Sequence, residues 1–473
     1  MKLKHLFLSA LVVGSLASCS KDDDGPNEPI YQQIETSLSI STTSNSGTIL
    51  KSSVEVGKAE AGEASERTIK TLTAVVFYED GTFASTKTVT DPKQDKNFNT
   101  SIDGIVVKVA ATEAGQVSTT KLKVFLLANI TVPTAALADY DAFIASSFNG
   151  IADYSFDEVM SGNEYLPMSS QELEVTNLLA GTAYNNRVEG SGNVAKFTSN
   201  EAGSENMVLV EKDGKYAPGD DVYSPANRIS LTRYVARVQL ESLEVNFGNN
   251  YEDAAFTLTS VSVANASNAS LYVENAGNLQ PADFYTGNDA FYRGYPADIN
   301  RADYYLARST YSQNVFSKVY GTIEKNVVND GIKMGKDGVA SVQFKDRTTN
   351  KPEENNNMMA QFYVFEFQKV ATTADNGQNL PSTANSEINT MLIITGLWYN
   401  GPVKEERSFR IPIRHTAADK DFQVKRNYIY KVHATLTGEG TNNPDKSMLN
   451  ACLSFSIDVQ PWQVIKQVED DVN

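Results

Sequence analysis

Stretches of β-branched and aromatic residues that alternate with polar ones, punctuated by Gly, Asn and Asp, recur along most of this chain. That period of two is the strongest limit on its fold, because side chains alternate faces along an extended strand and such a run buries one face while wetting the other. Ile34, Thr36, Leu38 and Ile40 oppose Glu35, Ser37, Ser39 and Ser41 in a first strand. TIKTLTAVVFY (68–78) reads as a central strand, Glu79-Asp80-Gly81 as a tight turn into 82–89, and KLKVFLLA (121–128) as a buried strand ending at Asn129. Residues 228–246 read as one long strand in which Tyr234, Ala236, Val238, Leu240 and Ser242 face a core and Val235, Arg237, Gln239, Glu241 and Leu243 oppose them. Further runs follow at 256–263, 270–273, 339–344, 358–367, 391–399 and 407–413, with Asn400-Gly401 as a turn. The C-terminal part holds three more: Tyr428 to Leu436, Leu453 to Val459, and a terminal run opening at Trp462.

Such a succession of strands and polar turns, with room for one short helix within 133–160, predicts an all-β chain. Its 473 residues are enough for two tandem β-sandwich domains of transthyretin or immunoglobulin type, with long loops and a minor helix. The expected division is 1–19 as a lipoprotein signal, 20–67 as a propeptide carrying the first strand and a cleavable loop, 68–224 as an N-terminal sandwich, and 225–473 as a C-terminal sandwich with a terminal strand. No short period repeats along the chain, which argues against solenoids and propellers.

The first residues are a targeting segment rather than structure. Lys2 and Lys4 precede an apolar stretch from Leu6 to Leu16, and Leu16-Ala17-Ser18-Cys19 matches the lipobox of bacterial lipoproteins, in which the cut falls before the cysteine and its thiol takes a lipid. Acyl chains on Cys19 give firm anchoring because each buried CH₂ contributes about 0.8 kcal/mol. If Cys19 is lipidated, the second cysteine, Cys452, stands alone, and no intrachain disulfide is expected. A formal net charge of −17 disfavours nucleic acid and anionic membrane surfaces, both of which need clustered Lys and Arg.

Nothing in the chain nominates an enzyme, a cofactor or a metal centre. His415 and His433 are too isolated for a two-histidine metal motif, and no nucleophile elbow or phosphate-binding loop is present. The GSGNVA stretch at 190–195 fits a dinucleotide pattern loosely but lacks the strand and helix that would give it meaning. Asp220-Asp221 and Glu252-Asp253 supply pairs of carboxylates where a hard cation needs six to eight oxygens, so solvated charge is the simpler reading. His433 reads as a satisfied sheet histidine, and Trp398 as a packing anchor.

Three segments together, RNYIYKVHATLTGEGTNNPD (426–445), DVQPW (458–462) and RISLTRYVARVQLESLEV (228–245), resemble the fimbrillins, the major subunits of type V fimbriae in Bacteroidota-type bacteria. Ser20-Lys21-Asp22-Asp23-Asp24 resembles the acidic export tag of surface lipoproteins from the same phylum. The resemblance implies a stalk subunit exported to the outer membrane as a lipoprotein. A trypsin-like protease would then cut the Ser-, Gly- and Glu-rich loop 42–66 after a basic residue and free the first strand of Ile34, Thr36, Leu38 and Ile40. The terminal segment of a sister molecule, with Trp462, Val464, Ile465 and Val468, would fill the vacated groove. Read from the residues alone, that segment could equally pair at home or fray. The loop departs from the family's Arg by offering Lys51 and Lys58, with Arg67 close to the next strand. Lys58 is favoured because its spacing leaves TIKTLTAVVFY intact. The implied partners are copies of itself, accessory, tip and anchor subunits, and host or bacterial surface ligands. An alternative is a glycan-binding surface lipoprotein that stays uncut and uses the Tyr-rich 283–320 stretch for sugar stacking.

Overall fold

The computed structural model describes residues 31–43, 64–94, 99–149, 159, 161–176, 178–181, 196–199, 229–264, 266–267, 269–274, 291–292, 332–336, 338, 340–343, 360–368, 390–415, 422–441 and 452–461. The Tyr-rich 283–320 stretch, Asp220-Asp221 and the 190–195 loop lie outside these, apart from the two residues 291–292. The chain is all-β, as its period-two pattern requires. In the first half the strands are β1 (Gln32–Thr43), β2 (Thr71–Tyr78), β3 (Phe83–Thr90), β4 (Asn99–Ala111), β5 (Leu122–Ala128), β6 (Ser147–Asn149), β7 (Met168–Ser169), β8 (Leu173–Thr176) and β9 (Lys196–Ser199). One short helix, α1 (Tyr140–Ile144), lies between β5 and β6, inside the window expected for it, and Asp139 caps it by accepting from the Ala142 N–H.

Two sheets frame this half. One runs in the order β10-β1-β4, where β10 is Ile229–Ser230; the other runs β11-β7-β5-β2-β3, where β11 is Thr232–Arg233, with β8 and β9 attached through β5. The inner strands β2 and β5 are buried on both faces. Leu38, Ile40, Ile102, Ile105, Val107 and Val109 of the first sheet share their core. On the other side Phe143 of α1 packs on Phe77 and Phe125, with ring centroids 5.4 and 4.9 Å away. A strand covered on both sides becomes a continuous apolar run, as TLTAVVFY and LKVFLLA are.

The second half repeats the plan with β12 (Val235–Val245), β13 (Ala255–Ala264), β14 (Ala266–Ser267), β15 (Ala269–Leu271), β16 (Phe291–Tyr292), β17 (Ile332–Gly335), β18 (Ser341–Gln343), β19 (Ala360–Phe365), β20 (Phe367–Gln368), β21 (Met391–Asn400), β22 (Val403–Pro412), β23 (Phe422–Val424), β24 (Tyr428–Leu436) and β25 (Leu453–Pro461). One sheet has the order β18-β12-β24-β25 with β19 also on β12, and the other runs β17-β13-β21-β22. Trp398 is buried and sits edge-on to Phe247 and Tyr251 at 4.9 and 5.5 Å, the anchor that the sequence suggested.

The stretch expected as one long strand, 228–246, is instead three: β10 pairs with β1, β11 pairs with β7, and only β12 enters the second half. Its facing also differs from the simple alternation. Val235 to Leu240 are buried on both sides, Arg237 and Gln239 included. Beyond them a register shift between Leu240 and Ser242 turns Leu243 inward and leaves Ser242 half-buried. An extra residue in one strand of a pair reverses the phase of everything after it.

A second irregularity has a measurable consequence. β13 shifts register between Leu258 and Ser260 opposite Gly396 of β21, and there the two backbones press together. A Cβ on Gly396 would stand 2.2 Å from the Thr257 carbonyl oxygen and 2.5 Å from the Phe256 ring. Gly396→Ala should therefore destabilise the chain by about 1–3 kcal/mol. Chemical denaturation would register this as a lower midpoint, and an unchanged midpoint would show that the sheet yields there.

Candidate functional site

β1 is held unevenly. Along one edge it forms an antiparallel ladder with β4 from Gln32↔Ala111 to Thr43↔Asn99. Along the other, contacts among the described residues include a two-residue parallel pairing of Thr42 and Thr43 with β10, the Thr42 hydroxyl donating to the Ile229 carbonyl at 2.7 Å, a hydrogen bond from the Gly181 N–H to the Glu35 carbonyl at 3.0 Å, and the Thr36 hydroxyl donating to the Leu179 carbonyl at 2.7 Å. Leu38 and Ile40 have no exposed surface, Thr36 is buried, and Ile34 is half-buried against the same core. Burying each of the two aliphatic side chains contributes about 1.5–3 kcal/mol. The ladder carries a bulge between Leu38 and Ile40, on the β4 side, where Gly104 has a φ of 64° that a side chain would resist.

β25 continues into the C-terminal segment. It pairs with β24 over its full length, from Tyr428↔Pro461 to Leu436↔Leu453, and among the described strands it ends its sheet. Its apolar residues Leu453, Ile457 and Val459 are only partly buried and Phe455 is 36 % exposed, an edge with apolar surface of the kind that accepts further chain. Trp462, Val464, Ile465 and Val468 lie beyond the described residues, as do Cys19, Lys51 and Lys58.

Arg67 is described, and its neighbourhood was not legible in the sequence. Residues 64–67 form a turn, with the Arg67 N–H and the Thr68 hydroxyl both donating to the Ala64 carbonyl at 3.1 Å. Beside it Glu66 is fully buried. Its carboxylate accepts from Nη1 of Arg237 at 3.2 Å to each oxygen and from the Tyr363 hydroxyl at 2.6 Å, while its carbonyl accepts from Nε of Arg233 at 2.9 Å. Arg237 of β12 and Tyr363 of β19 are directly opposite in register, so one cross-strand pair grips the carboxylate. Arg233 also donates to Asn427 at 3.0 Å, which ties in the entry to β24. Removing the Glu66 carboxylate would leave buried guanidinium charge uncompensated, a cost of about 3–5 kcal/mol in comparable cases.

The remaining polar candidates hold strands together. His433 takes Ser242 through Nδ1 at 2.9 Å and faces Asp458 at 3.7 Å from Nε2, a bridge from β12 across β24 to β25. His415 bonds the Tyr430 hydroxyl through Nδ1 at 2.8 Å. Asp253 is paired with Lys336 on the surface. Cys452 is free and half-buried. Among the described residues no group of three or more His, Cys, Asp or Glu could hold a metal ion, and no helix is long and apolar enough to cross a membrane.

Burial raises the Tyr363 hydroxyl well above its ordinary 10.0, with the Glu66 charge adding to it, and burial likewise raises Tyr234 and Tyr140. Burial pushes Arg233 the other way, from 12.5 to about 10. A tyrosine with a raised folded pKa contributes stability that is complete below about pH 10 and lost as the pH climbs, because the unfolded chain then releases a proton that the folded chain keeps. Arg233 has the opposite sign but is one group against three. Stability should therefore fall from about pH 10 upward. Denaturation midpoints between pH 8 and 12 test this, with tyrosinate absorbance expected to rise together with unfolding; a flat profile would contradict it.

Residues 38–233 match the family model of the major fimbrial subunit protein (FimA). No curated protein sequence matches the chain. Among solved structures the chain is similar to a candidate cell adhesion protein from Parabacteroides distasonis, at 19% identity and a TM-score of 0.49, covering 91% of this chain and 100% of that one. Another candidate cell adhesion protein, from Bacteroides eggerthii, has 14% identity, a TM-score of 0.48 and coverage of 93% and 98%. A fimbrilin (FimA) from Porphyromonas gingivalis has 15% identity, a TM-score of 0.46 and coverage of 92% and 99%. The stretch from Leu38 in β1 to Arg233 at the end of β11 is thus matched to the major fimbrial subunits, the family that the sequence motifs resembled.

Proposed function

We propose that this chain is a structural subunit of a cell-surface fimbrium. It is exported to the outer membrane as a precursor lipidated at Cys19 and matured by a cut in the loop after β1. The favoured position is Lys58, with Lys51 and Arg67 as the other basic residues. The cut frees β1 with its lipid. The C-terminal segment of a second copy, with Trp462, Val464, Ile465 and Val468, then takes its place on β4. The filament so formed supports adhesion, with tip, anchor and accessory subunits as its other partners. In this reading 68–224 and 225–473 are the two sandwiches of the mature subunit, with 229–233 pairing back onto the first.

The observation that carries the reading is the unequal hold on β1. Its backbone is paired along β4 for its whole length, while among the described residues the opposite edge is laddered only through the two-residue pairing with β10. Taking it out leaves a groove of unpaired N–H and C=O groups beside Ile102, Ile105, Val107 and Val109, which costs free energy until another strand fills it. β1 and β25 belong to different sheets, so a donor following β25 and an acceptor on β4 form two unlike surfaces. Unlike surfaces join head to tail and extend a filament rather than close a dimer.

Trypsin treatment of purified full-length chain should yield a new N-terminus between residues 52 and 68 and a ladder of multimers on SDS gels. Deleting 462–473 should leave the folded monomer and the cut intact, since β25 keeps its pairing with β24, while abolishing the ladder. Ladders from the truncated chain, or cut chain that stays monomeric with its C-terminus intact, would sink the proposal.

A further inference from the structure

We propose that Glu66 is the bolt that sets the C-terminal limit of maturation: it fastens the residues just behind the removable strand to the second half of the chain, so that β1 can leave while β2 stays seated. The inference rests on the maturation proposed above, but its own evidence is the buried cluster. Only four residues separate Glu66 from Thr71, where β2 begins (Arg67, Thr68, Ile69 and Lys70), and β2 is an inner strand of its sheet, paired with β5 on one edge and β3 on the other. A strand lifted from the neighbouring sheet pulls on whatever follows it in the chain. Here that pull meets a carboxylate gripped by Arg237 and Tyr363 and a carbonyl gripped by Arg233, all inside protein.

The same grip decides which basic residue a protease can use. A trypsin-like enzyme binds its substrate as an extended strand over several residues on each side of the scissile bond, with the main chain free to pair. Around the bond after Arg67 that main chain is committed: Arg67 N–H to Ala64, Ile69 N–H to the Gln94 side chain at 3.1 Å, and Lys70 N–H to the Asn129 side chain at 2.7 Å. Ile69 is buried as well as Glu66. Cleavage there must wait for local opening, and its rate follows the opened fraction. Arg67 is therefore shielded, and the mature chain begins before Ala64 and retains Glu66.

Prolonged trypsin digestion of the full chain, with new N-termini read by mass spectrometry, tests this. Wild type should give termini at Ser52 or Ala59 and none at Thr68. Arg67→Gln should leave that pattern unchanged. Glu66→Gln should open the bond after Arg67, with Thr68 appearing at least about tenfold faster than in wild type, while the bonds after Arg233 and Arg237 stay closed; this selectivity separates lost bolting from general unfolding. A wild-type terminus at Thr68, loss of the main product in Arg67→Gln, or a folded Glu66→Gln chain as resistant as wild type would overturn the bolt. If Glu66→Gln does not fold, the wild-type and Arg67→Gln patterns decide alone. Cuts confined before Ala64 without ladders would refute the fimbrial reading and leave the bolt standing, and Thr68 termini with ladders would do the reverse.

Discussion

A peptide group taken out of water must find a partner, and in this chain the β4 backbone finds its partner in β1 along more than ten residues of ladder. The side chains that come with that ladder, Leu38 and Ile40, complete the core between the two sheets of the first half. Backbone pairing and apolar cover are supplied by one continuous segment, which is why that segment is at once necessary to a closed sandwich and replaceable in principle by any other strand of suitable alternation. Hydrogen-bond ladders do not read side chains, and a groove lined by Ile and Val asks only for branched apolar residues at every second place.

The polar interior around Glu66 plays a different part. Buried ion pairs contribute little net stability compared with apolar packing, because desolvation offsets most of the attraction. What they supply is a strong penalty for any arrangement that separates them. Glu66 comes from the stretch that links β1 to β2, Arg233 from the end of β11, Arg237 from β12 and Tyr363 from β19, so the cluster ties four elements of the chain at one point. Arg426 is set similarly near the next turn of chain, stacked over Tyr234 at 4.9 Å and bonded to Ser270, the Leu271 carbonyl and Glu366. Both clusters sit where the first half meets the second, and the Phe143–Tyr272 contact at 5.6 Å lies at the same junction.

The strands easiest to read in the sequence were those with a continuous buried run, β2 and β5, or an alternation that keeps its phase, as in β24; these and β21 stand within a few residues of the runs expected for them. β4 was not read as a strand at all, although it is the partner of β1. Its opening residues are polar, and at Gly104 the backbone leaves the extended region, so the alternation resets in the middle and no single phase fits 99–111. The same device misled the reading of β12, where Leu243 was assigned to the outer face but is turned inward by the shift at Leu240. Of the site, the first strand was legible because four alternate residues announce it. Glu66 was not: it ends a stretch of Ser, Gly, Ala and Glu that reads as exposed loop, and nothing local marks one carboxylate among several as the buried one.

The sequence by itself determined that the chain is all-β, where most strands lie, that a short apolar strand opens it, and that its C-terminal part carries motifs like those of fimbrial subunits. These follow from periodicity and local residue chemistry, which need no knowledge of distant contacts. Only the tertiary structure decided which strand β1 leans on, that its other edge takes β10, that 229–233 belongs with the first sheets, and that Glu66 is locked between two arginines and a tyrosine. Each of these depends on segments far apart in the sequence coming together, and the free energy of such meetings is set by the partner's geometry, which a single stretch of sequence does not contain.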